Sequence, residues 1–224
     1  MSKSKKNNNF TSINKIELDR DIIAHKDSMI CSITYIEKHN LIITTSYNGI
    51  LYIRKYLDFE LLSFIKTKNE SIIITRVVYT DYDLLYCLLN FKDKEFQYGS
   101  CINIYTLNGL LLESSEINNI VVDIEPLKNG KIICNYLNSR NLFIFGFNKN
   151  KGQLIEENIL NSFGDNNIVN NKIVNFIFQK KKNNFFLFLD NGELYRNSNS
   201  NFSLLFKGAH KLENIININS KKNN

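Results

Sequence analysis

Residues 29–66 read MICSITYIEKHNLIITTSYNGILYIRKYLDFELLSFIK. Four apolar or alternating runs fill this stretch: 29–36 (MICSITYI), 40–46 (NLIITTS), 50–56 (ILYIRKY) and 60–66 (ELLSFIK). Each is short and rich in Ile, Leu, Phe and Tyr, residues that suit a pleated, half-buried surface. None holds a helical period beyond two turns, so all four are expected to be strands. Tyr47-Asn48-Gly49 separates the second run from the third. Asn and Gly accept positive φ at little cost, so this tripeptide reads as a tight hairpin turn.

The same unit recurs along the chain. A second set lies at 72–79, 84–90, 101–107 and 110–115, and a third at 120–127, 131–137, 141–147 and 153–160. A fourth lies at 173–179, 184–190, 192–197 and 202–207. The sets begin near 29, 72, 120 and 173, a step of about 43 to 53 residues. Four strands per step of that size is the pattern of β-propeller blades, whereas a β-sandwich has no reason to repeat at that interval. Short turns join the second and third strands again at Asn138-Ser139-Arg140 and Asn191-Gly192. The second set differs, with a charged insert from Phe91 to Ser100 at that point. The expected fold is all-β, about four four-stranded antiparallel blades (24–67, 68–117, 118–161 and 170–208) in a partial or incomplete ring.

Composition bounds the rest. Hydrophobic residues make up 43% and aromatics 12%, the balance of a folded domain, and the 36 asparagines are read first as codon bias. The polar ends, 1–12 and 219–224, are expected to be disordered. The net charge of +6 comes from position: without Lys3, Lys5, Lys6, Lys180, Lys181, Lys182, Lys221 and Lys222 the chain carries −2. A nucleic-acid partner calls for basic residues gathered on one folded face, and this distribution does not provide them. Cys31, Cys87, Cys101 and Cys134 sit far apart in apolar runs and are expected to be buried, reduced thiols. No apolar run reaches the roughly 18 residues of a membrane span, and 1–9 lacks the apolar core of a secretory signal. The expected location is cytoplasmic, with peripheral endomembrane association open.

The first unit resembles a degenerate WD repeat. Ala24-His25 stands where that family has Gly-His, Ser46 where it has the serine of the second strand, and Asn48-Gly49 where it has Asp-Gly. The resemblance implies that His25, Ser46, Asn48 and Gly49 are structural repeat positions. Arg54 takes the position of the family's Trp and Lys55 that of its closing Asp, so the hydrogen-bonded chain that pins such blades is interrupted. Residues 22–147 further resemble the C-terminal WD-repeat region of BEACH-domain (neurobeachin-type) proteins. The stretches are IIAHKDSMICSITYIEKHNLIITTSYNGILYI and INIYTLNGLLLESSEINNIVVDIEPLKNGKIIC, with Leu107-Asn108-Gly109-Leu110-Leu111-Leu112 the most telling. That resemblance implies a scaffold in vesicle and endomembrane trafficking, with a propeller beside a BEACH domain.

No phosphate-binding, dinucleotide-binding, nucleophile-elbow or zinc-protease motif occurs, so no catalytic residue, cofactor or metal is expected. The carboxylate pairs Asp81/Asp83 and Glu156/Glu157 are read as solvated, and His25, His39 and His210 as structural. Tyr52, Arg54 and Tyr56 are candidate interaction residues, since Tyr and Arg favour binding hot spots and period 2 places the three on one face. The expected function is a non-catalytic protein-interaction scaffold, with a propeller-fold hydrolase and a membrane-surface adaptor using Lys180–Lys182 as alternatives. Sixteen strands, with 13–23 as a stray strand, fall short of the usual seven WD blades. The preferred reading is a fragment of a larger propeller. Completion by another chain and closure as a small ring stay open, and 208–218 is read as a further or closing strand.

Overall fold

The computed structural model describes residues 25, 28–67, 72–92, 98–161, 172–179, 184–198 and 201–207. Within them lie four antiparallel sheets of four strands, each in simple chain order. The first blade holds β1 (Ile30–Ile36), β2 (Leu41–Ser46), β3 (Ile50–Lys55) and β4 (Leu61–Lys66). The second holds β5 (Ile72–Tyr79), β6 (Leu84–Lys92), β7 (Tyr98–Thr106) and β8 (Leu111–Ile117). The third holds β9 (Val121–Pro126), β10 (Lys131–Tyr136), β11 (Asn141–Asn148) and β12 (Gln153–Asn161). The fourth holds β13 (Ile173–Gln179), β14 (Asn184–Leu189), β15 (Glu193–Ser198) and β16 (Asn201–Lys207). Helix among the described residues is limited to one 3-10 turn, Glu37–His39. The runs at 13–23 and 208–218, His210, Lys180–Lys182 and the polar ends lie outside the described residues.

Turn chemistry sets these hairpins. The first turn of each of blades one to three carries an Asn or Asp in the left-handed region: Asn40, Asp83 and Asn129. These side chains tolerate that conformation better than other non-glycine residues. The second turn repeats one backbone bond in three blades, Gly49 N to Ser46 O (3.1 Å), Ser139 N to Tyr136 O (3.0 Å) and Gly192 N to Leu189 O (3.0 Å). At Gly49, φ is +73°, and a Cβ would strike the Thr67 hydroxyl and the Ile72 carbonyl at the start of the second blade. Only glycine fits there. In the second blade, part of the stretch read as an insert prolongs the hairpin instead, with register running to Lys92 opposite Tyr98.

Successive blades meet through their first strands, β1 on β5, β5 on β9 and β9 on β13, which places these strands innermost. Apolar layers fill the gaps between blades. Ile43, Leu51 and Ile53 pack with Val77, Leu85 and Cys87 between blades one and two. Tyr86, Leu88 and Ile102 pack with Ile124, Ile132 and Cys134 between two and three. Ile133 and Leu142 pack with Phe176, Leu187 and Tyr195 between three and four. Burying each such side chain contributes about 1.5–3 kcal/mol, so the blade junctions are the main source of stability. All four cysteines are free; three are buried and Cys31 is half-buried. Burial pushes the Cys87 and Cys134 thiols well above the ordinary range. Among the described residues no closed ring forms, and the four blades make an open arc.

Candidate functional site

The innermost strands of three blades wall a cleft of about 490 Å³, lined by Ile33, Thr34 and Tyr35 of β1, Arg76 to Tyr79 of β5, and Glu125 and Pro126 of β9. Its chemistry comes from charged residues that interrupt apolar runs. Alternation along β5 (IIITRVVY) buries Val77 in the blade junction and sends its neighbour Arg76 to the other side. β9 (VVDIEP) likewise buries Ile124 and presents Asp123 and Glu125. Arg76 Nη2 donates to Glu125 Oε1 at 2.7 Å, and Arg76 Nε lies 3.4 Å from Asp123 Oδ1. One guanidinium of the second blade thus holds two carboxylates of the third.

Burial outweighs this pairing. Desolvation, opposed by Arg76 and assisted by the Asp123 charge, raises the Glu125 carboxyl to about 7. The Asp123 carboxyl is also raised, again chiefly by burial. With both ionised the cluster carries one net negative charge. It attracts a cationic group, or at neutral pH it offers a carboxyl able to take up or release a proton.

The rim of the cleft ties the blades together. Asp83 accepts hydrogen bonds from Lys38 Nζ (2.8 Å) and the Tyr79 hydroxyl and lies 3.0 Å from His39 Nε2. These partners, His39 first, hold its carboxyl far below the usual range. Burial and then the Asp83 bond push the Tyr79 phenol well up. Asp81 turns the other way and accepts the backbone N–H groups of Asn129 (3.0 Å) and Gly130 (2.6 Å) in the third blade. The Asp81/Asp83 pair, read from sequence as solvated, therefore clamps one turn to both neighbouring blades. Glu157 of the other pair forms an ion pair with Lys131.

The sequence-predicted residues separate into two places. His25 Nε2 hydrogen-bonds Thr44 Oγ1 at 2.9 Å, and its ring lies 4.7 Å from that of Tyr52. Burial lowers its pKa. Ser46 Oγ bonds Asn48 within its own turn, so Ser46, Asn48 and Gly49 close the β2–β3 hairpin while His25 reaches Thr44 instead. Arg54 stacks on Tyr52 at 5.1 Å and donates to the Phe59 carbonyl at 3.2 Å. Tyr52 and Arg54 share the side of the first blade opposite Leu51 and Ile53, as period 2 requires. β3 ends at Lys55, and Tyr56, in the following turn, sets its ring 4.6 Å from that of Tyr35, which pairs through Ile42 with Arg54 and so lies on the same side of the blade.

Arg76, Asp123 and Glu125 went unremarked in the sequence, although the signal was present: a charge in mid-strand between buried neighbours must be paired or functional. Among the described residues no cluster of three His, Cys, Asp or Glu side chains could hold a metal, and no helix is long and apolar enough to cross a membrane.

No protein-family model matches the sequence, and no curated protein matches it. Solved structures do match in fold. The computationally designed Ika4 protein superposes with a TM-score of 0.51 at 12% identity, over 83% of this chain and 95% of that one. A protein from Lactobacillus plantarum gives 0.50 at 11% identity, over 78% of this chain and 56% of that one. The computationally designed Ika8 protein gives 0.49 at 12% identity over 81% of this chain, which spans about half of Ika8 (49%). At such identities the likeness concerns fold alone.

Proposed function

We propose that this chain is a non-catalytic protein-interaction scaffold that seats a cationic side chain of a partner protein in the inner-strand cleft. The observation that carries the reading is the Arg76–Asp123–Glu125 cluster, one negative charge in excess when both carboxylates are ionised, of which Arg76 and Glu125 line, with Tyr35 and Tyr79, a cleft large enough for a side chain. Tyrosine walls around a partly buried ion cluster are the surroundings in which binding energy concentrates. The resemblance of 22–147 to the WD-repeat region of BEACH-type proteins supports a finer reading. In it the scaffold serves vesicle trafficking in the cytoplasm, peripheral to endomembranes, within a larger propeller or beside a BEACH domain. The test is binding of lysine- and arginine-containing peptides to the purified chain at pH 6 and pH 8. Affinity rises with pH as Glu125 ionises, and Glu125→Gln removes most of the rise. A Gln variant whose binding rises between pH 6 and pH 8 as steeply as the wild type's would refute the reading.

One observation favours a second reading, a propeller-fold hydrolase. A carboxyl raised to about 7 is poised for general acid–base work at neutral pH. Turnover of an ester or glycoside by the wild type, lost in Glu125→Gln, would select this reading over the first.

A further inference from the structure

We propose that two copies of this chain close one eight-bladed ring, the first blade of each packing on the fourth blade of the other. The argument starts from the two ends of the arc. Each of the three junctions in the chain presses one face of a blade onto the opposite face of the next. Among the described residues the arc therefore ends in two unlike faces, each of the kind that meets its opposite at an interior junction.

At the first blade, Leu51 and Ile53 are buried against the second, while Tyr52 and Arg54 turn to the other side, where the His25 ring packs on Tyr52 and bonds Thr44 and where Phe64 is 61% exposed. At the fourth blade, Leu187, Leu189 and Tyr195 are buried against the third. Phe186, Phe188, Leu194 and Arg196 alternate with them on the other side, and Phe206, opposite Leu194, is 59% exposed. The sequence of β14, NFFLFL, is apolar on both faces. The same two-faced pattern marks β6, LLYCLLNFK, which the first and third blades cover on both sides. A strand written for burial on both faces needs a neighbour on each, and large uncovered apolar faces mark interfaces. Each end also sets one arginine among aromatic rings, which gives cation–π contacts in both directions across such a junction.

Ring size selects the number of copies. Propellers close with about four to eight blades, so two arcs of four reach the upper end and three exceed it. Two head-to-tail junctions related by a two-fold axis leave no open face, which stops assembly at the dimer.

The decisive experiment is sedimentation equilibrium or native mass spectrometry of the whole chain, with circular dichroism to confirm folding of each variant. The expected species has twice the 26.1 kDa chain mass. Phe64→Arg and Phe206→Arg each weaken dimerisation by about a hundredfold or more. Mixing the two restores a dimer, because one of its two junctions is then wild type on both sides. Where an arginine variant fails to fold, Phe64→Ala and Phe206→Ala replace it, with about a tenfold weakening. A wild-type monomer across the micromolar range would overturn the proposal. So would a Phe206 variant that dimerises like wild type, since that means like faces pair, or a mixture of variants that stays monomeric. None of these outcomes depends on what the cleft binds, so this proposal and the scaffold reading fail separately.

Discussion

The second blade and the first follow one plan of four strands in chain order, yet they are covered differently. In the second, Val77, Leu85 and Cys87 face the first blade while Tyr86, Leu88 and Ile102 face the third, and all six are buried. In the first, Leu51 and Ile53 are buried, but Phe64 and Ile33 on the other side stand open. The sequences already differ in the same sense. β6 reads LLYCLLNFK with no polar alternation until its end, whereas β3 reads ILYIRK, in which the second face gains a tyrosine and an arginine. An uninterrupted apolar strand is written for two neighbours, an alternating one for a single neighbour. Strand formation is thus a local property, while stability belongs to the junctions.

The largest effect is expected from hollowing out an interior junction. Leu88 is fully buried in the layer between the second and third blades. Leu88→Ala is expected to cost about 3 kcal/mol in chemical denaturation, from the lost transfer energy and the cavity left behind. A cost below about 1 kcal/mol would mean that the junction is loosely packed and that the contrast with the open face is illusory.

The same junction carries the Arg76–Asp123–Glu125 cluster at its inner edge, which makes it sensitive to pH. In the folded chain the Glu125 carboxyl sits near 7, above its ordinary value of 4.5. As pH rises from about 4.5, the unfolded chain releases this proton first, so the native state becomes less stable until pH passes about 7. The contribution is at most about 3.5 kcal/mol, at roughly 1.4 kcal/mol per unit, and only part of it falls between pH 5 and pH 8. Denaturation midpoints at pH 5 and pH 8 are expected to converge in Glu125→Gln relative to wild type. His25, whose lowered pKa acts in the opposite direction below about 6.5, is common to both proteins and cancels from the difference. An unchanged pH dependence in the Gln variant would show that Glu125 ionises normally.

Most of this fold was legible because its signals are local. All sixteen strands lie where the apolar runs are, since length, composition and turn residues decide a strand without reference to the rest of the chain. The period then assembled them into blades. β3 ends one residue before Tyr56, whose ring nonetheless packs on Tyr35, on the side of the blade that carries Tyr52 and Arg54. The cleft was hidden because Arg76 and Glu125 are 49 residues apart and meet only when two blades pack. Likewise, Asp81 and Asp83 look solvated in a turn until the loops on either side arrive to use them. What the sequence withholds is the pairing between repeats, because nothing in a strand's own pattern says which side chain its neighbouring blade will offer.

The open face supplies the smallest effect and the most discriminating one. Phe64 is 61% exposed and touches Tyr52 at a ring separation of 6.3 Å. In a single chain its truncation removes little buried surface and one loose aromatic contact. Phe64→Ala, measured at dilutions where the chain is monomeric, is therefore expected to shift stability by no more than about 0.5 kcal/mol. Set against about 3 kcal/mol for Leu88→Ala, this gives a ratio of roughly six between an interior and an end face of the same arc. If the Phe64 cost instead grows with protein concentration, the face is covered whenever a second chain is available to cover it. A large, concentration-independent cost would mean that the first blade buries this face within its own chain, and the contrast between the two blades would lose its basis.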